Sequence, residues 1–251
     1  MKLILSKTKE ELGLASAIHA EKLINEAIAQ KGSARILLST GASQFPFFAE
    51  FVKCNIDWSK VEMFHLDEYV GISSTHPASF HCYLKERFVN KVALGKYHLM
   101  DGEKDPEETI AHLTALLDEA PIDVGLIGIG ENAHIAFNDP PADFNDKSAY
   151  KVVTLAERCL EQQIGEGWFK DKEECFKQAI SMTCDRIMRC EHIISVVPYK
   201  VKAEAIYNTF ANDVTPDIPA TLLKKHSDAT VYVDSDSAAL LTPALIEEYA
   251  K

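Results

Sequence analysis

Short runs of β-branched and aliphatic residues alternate along this chain with longer segments of helical period, a pattern that builds a mostly parallel sheet covered by helices on both faces. Strands are expected at Lys2 to Leu5, Arg35 to Ser39, Val61 to Leu66, Val124 to Gly128, His192 to Val197 and Thr230 to Val233. Thr8 with Glu11 three residues on fits a capping box, so a helix is expected from there to about Gln30, stopped by Gly32. Further helices are expected over Gln44 to Lys53, Pro77 to Asn90, Pro106 to Leu117, Glu173 to Arg189, Lys200 to Thr209 and Pro243 to Ala250. Asn138 to Tyr150, with paired prolines and several Asn and Asp residues, reads as a long irregular loop, and Cys159 to Phe169 as a mobile cover. Nothing repeats and no low-complexity linker divides the chain, so residues 1–251 read as a single doubly wound, Rossmann-like α/β domain.

Charge excludes one class of partner. Twenty-six Lys and Arg against 38 Asp and Glu leave a net charge of −12 with no basic stripe, which argues against nucleic acid as a partner. No apolar run approaches the roughly 18 to 20 residues of a membrane span, and the first residues lack the apolar centre of a signal peptide. A cytoplasmic protein without a membrane partner is therefore expected. Its six cysteines form no C-x-x-C pair and are expected as free, mostly buried thiols. Neither a metal nor a cofactor is expected.

In an open parallel sheet, ligands bind beyond the carboxyl ends of the strands, so the residues that follow each strand are the first candidates. After the second strand, Ser39-Thr-Gly-Ala-Ser-Gln44 is a small hydroxyl-bearing turn able to cradle a phosphate, or a plain strand-to-helix turn with a Ser cap. After the third, Asp67 and Glu68 place two carboxylates where burial is expensive for charge; they read equally as a general base or as a solvated pair. After the fourth, Asn132, His134 and Asp139 fall within eight residues, suited to proton transfer or to a satisfied core histidine. After the fifth, Lys200 opens a helix, where a cation opposes the dipole and invites an anion, unless it is simply solvated. Their coincidence at neighbouring strand ends points to a sugar-phosphate site.

Leu38-Ser-Thr-Gly-Ala-Ser43, Phe64-His-Leu-Asp-Glu-Tyr-Val-Gly71, the stretch from Gly128 to Pro140 and the Lys200 helix resemble, in order and spacing, the glucosamine-6-phosphate deaminase (isomerase) family. That superfamily also holds the 6-phosphogluconolactonases. The resemblance spans nearly the whole chain and implies a doubly wound α/β fold without a metal. It also implies conversion of glucosamine 6-phosphate and water to fructose 6-phosphate and ammonia. By the resemblance, Asp67 is the acid/base that moves a proton between the second and first sugar carbons. His134 is the ring-opening base, assisted by Asn132 and Asp139. Thr40, Gly41, Ala42 and Ser43 form the phosphate turn, Lys200 binds phosphate, and Gly128 marks a substrate-contacting strand end. A homo-oligomer is left open.

The chain departs from the family pattern in several places. Asp139 stands where Glu is usual, Asn132 where some members have Asp, and Ala42 and Ala133 where Gly is common. No Arg aligns with the family's phosphate clamp in Cys159 to Trp168, although Arg158 is near, and no basic residues match an allosteric activator site. Two other readings fit the same residues. A 6-phosphogluconolactonase would use His134 to activate water, and a non-catalytic sensor would bind a sugar phosphate without turning it over.

Overall fold

The computed structural model describes residues 1–250. Seven strands form an all-parallel sheet: β1 (Lys2–Leu5), β2 (Ala34–Leu38), β3 (Val61–His65), β5 (Lys96–Tyr97), β6 (Val124–Ile127), β9 (His192–Val197) and β10 (Ala229–Val233). Their order across the sheet is β1-β10-β9-β6-β2-β3-β5. The chain runs outward from β2 through β3 to β5, then returns to β6 on the other side of β2. The direction of winding therefore reverses between β2 and β6, which is where such sheets open a crevice.

Both faces are covered, as the unbroken apolar strand runs required. Ile36 and Leu38 of β2 pack with Leu12, Ile24, Phe47 and Phe51 on one face. Leu37, one residue between them, points to the other face with Leu113, Leu117, Ile206 and Phe210. The first face is covered by α1 (Lys9–Lys31), α2 (Phe45–Phe51) and α3 (Phe80–Arg87), the second by α4 (Pro106–Asp118) and α7 (Ala203–Ala211). Helix α8 (Pro243–Tyr249) ends the described chain. The Thr8 hydroxyl accepts from Glu11 N at 3.2 Å, the Glu11 carboxylate accepts from Lys7 N at 2.9 Å rather than from Thr8 N, so only the Thr half of the capping box forms, and Gly32 caps the helix end in a left-handed conformation as expected. All six cysteines are free, four of them buried. Among the described residues no helix is long and apolar enough to cross a membrane.

The helix expected over Glu173 to Arg189 does not form. That stretch instead holds strand β8 (Gln178–Met182) and the single helical turn α6 (Cys184–Ile187). Strand β8 is the centre of a second, antiparallel sheet, flanked by β4 (Asp67–Tyr69) and β7 (Tyr150–Thr154). The Cys159 to Phe169 region is largely α5 (Glu157–Gly165), a regular helix. Asn138 to Ala149 is irregular, and β7 begins at Tyr150.

Candidate active site

The four expected strand ends are neighbours. Strands β9, β6, β2 and β3 lie side by side, and the segments that follow them, with α5, line one cleft. Thr40, Gly41, Ser43, Asp67, Gly128 and His134 are all on its walls.

The turn after β2 runs from Gly41 (φ 100°), a conformation closed to most L-residues, into a 3₁₀ turn at Ala42–Gln44. Ala42 is therefore helical and unstrained, and its side chain does not line the cleft. The Tyr83 hydroxyl donates to the Gly41 carbonyl at 2.9 Å and holds the turn from α3.

Strand alternation separates the two adjacent carboxylates after β3. Asp67 faces the cleft at 6% exposure, where burial, and then the Glu68 charge, hold its carboxyl well above the ordinary carboxylate range. Glu68 is fully buried on the other side of the strand. It accepts from Ser79 Oγ (2.7 Å) and from the backbone N–H groups of Tyr69 (3.0 Å), Phe80 (3.2 Å) and His81 (2.8 Å). Three of those four donors belong to the N-terminal end of α3, so Glu68 is a structural anchor. Glu68→Gln turns an NH₂ group toward donors and should cost roughly 2–3 kcal/mol of stability, read by urea unfolding. A variant as stable as the parent would remove Glu68 from that role.

The loop after β6 folds His134 back over Gly130. His134 Nδ1 lies 3.1 Å from Asp139 Oδ1, which also accepts from Asn132 Nδ2 at 2.9 Å, while Asp139 Oδ2 accepts from Ala156 N at 3.3 Å. Burial pushes the Asp139 carboxyl up, but the His134, Asn132 and Ala156 hydrogen bonds outweigh it and hold it below its ordinary value. The shorter Asp side chain thus reaches the histidine directly. With Nδ1–H donated to Asp139, Nε2 is left as the basic nitrogen. Ala133 (φ 65°) and Ala136 (φ 51°) flank the histidine in left-handed conformations, so the Ala that replaces Gly at 133 is strained. The geometry leaves little room: a Cβ on Gly130 would lie 2.2 Å from His134 Nε2.

Strand β8 ties this loop to Asp67. Ser181 sits opposite Asp67 in the antiparallel ladder and its Oγ accepts from Phe137 N at 3.0 Å, while Asn138 Nδ2 donates to Met182 O at 2.8 Å.

Lys200 is exposed and off the cleft, contrary to expectation. Tyr199 turns the backbone at φ 81°, a 3₁₀ turn takes Lys200–Lys202, and the helix starts only at Ala203. That detour buries Lys202 to 3% exposure with its side chain on the cleft wall. Burial pulls the Lys202 ammonium down, with Glu166 and Glu131 partly offsetting it, and among the described residues it forms no ion pair within 4 Å. It is a buried cation facing the cleft. Both lysines belong to one Lys-Val-Lys stretch, and the sequence alone does not separate them.

Helix α5 also supplies residues that the sequence did not reveal. Gln162 and Gln163, with Glu166 just past the helix end, also line the cleft, and Gln162 Oε1 accepts from Glu131 N at 3.1 Å. Arg158 does not line the cleft; it lies in a separate depression with Glu131, Glu204 and Asp217. One trio could gather around a metal ion, since ligand atoms of His134, Asp139 and Cys159 lie within 4.8 Å of one another. Burial pushes the Cys159 thiol up, away from the thiolate that a metal would need. The arrangement offers two proton-transfer groups, the Asp67 carboxylate and the His134 imidazole, beside an anion cradle of turn and lysine.

Comparison with known proteins adds a family. Residues 7–232 match the model described as glucosamine-6-phosphate isomerases/6-phosphogluconolactonase. A glucosamine-6-phosphate deaminase of Lactobacillus delbrueckii subsp. bulgaricus is 33% identical over 242 residues, 96% of this chain and all of that one. One from Thermoanaerobacter pseudethanolicus is 32% identical over 256 residues, with 99% and 98% covered. A solved monomeric glucosamine-6-phosphate deaminase superposes with a TM-score of 0.86 at 30% identity, over 96% of this chain and 100% of that one. The 6-phosphogluconolactonase of Trypanosoma brucei gives 0.77 at 14% identity, over 96% and 98%, and shares the fold.

Proposed function

The chain belongs to the glucosamine-6-phosphate isomerase/6-phosphogluconolactonase family, and from that premise we propose that it is an isomerising deaminase of an amino-sugar phosphate, with glucosamine 6-phosphate as substrate. The observation that carries this reading is Asp67, a buried carboxylate facing the cleft across from a separately organised His134. Hydrolysis of a lactone needs one base to activate water. An aldose-ketose shift with loss of an amine needs proton transfer at the ring oxygen and again between two carbons.

The steps balance with the groups present. His134 moves the proton of the anomeric hydroxyl to the ring oxygen, which opens the ring to the aldehyde, and Asp139 steadies the imidazolium that forms. Asp67 takes the proton from carbon two while the substrate's own 2-ammonium group gives a proton to the carbonyl oxygen on carbon one, giving a neutral enolamine. Asp67 then returns a proton to carbon one, leaving an iminium at carbon two. Water adds there, ammonia leaves, and the ketose phosphate remains. The phosphate rests on the turn of Thr40, Gly41 and Ser43 with Lys202, and the Ala42 backbone completes that turn. Asn132 orients Asp139, and Gly128 keeps the strand end open to the sugar. One chain supplies every residue named, so the reaction needs no second subunit.

The test is ammonia release from glucosamine 6-phosphate, with galactosamine 6-phosphate and 6-phosphogluconolactone beside it. Ammonia with fructose 6-phosphate is the expected result, and turnover of the lactone alone would overturn it. Lys202→Ala should raise KM about tenfold or more with a smaller change in kcat, because a phosphate contact far from the reacting carbons is mostly uniform binding. Lys200→Ala should change neither. The reverse pattern would return the phosphate to Lys200.

A further inference from the structure

Glu166 is an unexpected group beside a phosphate cradle. It follows the last residue of α5 and lines the cleft with Gly41 and Lys202, and its Oε2 lies 3.8 Å from where a Cβ on Gly41 would stand. Its orientation is set from two sides: Gln162 Nε2 donates to Oε1 at 2.8 Å and Trp168 Nε1 donates to Oε2 at 2.9 Å. Trp168 in turn packs edge-on against Tyr83, with ring centroids 6.2 Å apart, and the Tyr83 hydroxyl holds the Gly41 carbonyl. The carboxylate is thus fixed over the turn by the same aromatic pair that fixes the turn.

A carboxylate has about four lone-pair sites, and each oxygen here has spent one on a protein donor. What remains faces the cleft and accepts hydrogen bonds only. It cannot bind the phosphate, which is an acceptor of the same charge, so its natural ligand is a hydroxyl near the phosphate end of the sugar. Taking the placement proposed above, carbons one and two lie at Asp67, the ring oxygen at His134 and the phosphate on carbon six at Gly41 and Lys202. Of the remaining pyranose hydroxyls, that on carbon four lies nearest to carbon six. We propose that Glu166 is a specificity-determining residue that accepts a hydrogen bond from the substrate's 4-hydroxyl and thereby chooses between hexosamine 6-phosphates epimeric at carbon four. The inference rests on the proposed function and goes beyond it by assigning the stereochemical reader.

The two epimers, glucosamine and galactosamine 6-phosphate, share one 4-deoxy analogue, which makes a closed comparison. Ammonia release is measured for the parent protein, Glu166→Ala and the length-conserving Glu166→Gln on all three compounds, with folding of each variant checked by circular dichroism. Hydrogen bonds to charged groups predict that Glu166→Ala lowers kcat/KM on the preferred epimer about tenfold or more. On the 4-deoxy analogue, parent and variants should agree within about twofold, because the partner is already gone. The preference between the epimers should shrink in both variants. An equal loss on the epimer and on the deoxy compound, or an unchanged epimer ratio in a folded variant, would overturn the role of Glu166 while leaving the deaminase reading intact. No ammonia from either epimer with the parent protein would instead overturn the deaminase reading and this inference with it.

Discussion

Asp67→Asn should lower kcat for ammonia release at least about a hundredfold while leaving KM near the parent value, since a positioned acid/base contributes that much and an amide cannot shuttle the proton. The substitution is nearly isosteric, and among the described residues the Asp67 carboxylate accepts no hydrogen bond, whereas Glu68 beside it accepts four. Unfolding should therefore be little changed, which separates loss of chemistry from loss of structure. Burial, with Glu68 adding to it, raises the Asp67 carboxyl, favouring its protonated form to higher pH. As the base that takes the carbon-two proton, Asp67 must be ionised in the free enzyme. kcat/KM should accordingly fall as pH drops through that raised value, and this limb should vanish from the residual activity of Asp67→Asn. A folded variant with near-parent turnover would end the assignment of Asp67 to carbon chemistry.

Gly130→Ala should be comparably damaging through a different route. The added methyl would meet three atoms of the His134 ring at 2.2 to 2.4 Å, distances that no relaxation of the methyl can relieve. The imidazole must swing away. Doing so breaks its 3.1 Å hydrogen bond to Asp139 and moves Nε2 off the ring oxygen, and a misplacement of about 1 Å is enough to cost a hundredfold. The loss should fall on kcat, and an open-chain analogue that cannot cyclise, such as 2-amino-2-deoxyglucitol 6-phosphate, should bind with little change. Parent-like kcat in Gly130→Ala would show that the ring has room to move without consequence, contrary to the packing.

The main sheet was legible because strands buried on both faces are written as continuous apolar runs; β2, β3, β6, β9 and β10 start or stop within a residue of expectation. Strand β5 was not, since two exposed residues, Lys96 and Tyr97, carry no pattern. The second sheet was hidden for a related reason. Strands β4, β7 and β8 are three to five residues long, and Ala179, Ile180, Met182 and Ile187 fall as well on a helical face as on a strand followed by a turn. His134 and Asp139 were readable because only four residues of loop separate them in sequence. Asp67 could not be told from Glu68 without knowing which face of β4 looks into the cleft. Lys202 was missed because a left-handed Tyr199 delays the helix by three residues, and Glu166 because nothing in a sequence says over which turn a helix will end.

Strand β8 gives these parts different freedoms. Through Ser181 and Asn138 it holds the Asp67 strand and the His134 loop in one hydrogen-bonded frame, so the separation between the two proton shuttles is a ruler cut by strand register. Helix α5 stands outside that frame and meets it mainly through side chains, Gln162 and Asp139 among them. Chemistry and sugar choice are therefore written on separate parts of the molecule. Substitutions along α5 can retune which hydroxyls are recognised while the spacing that the proton transfers demand stays as it is, and a lineage of such proteins can change diet without relearning the reaction.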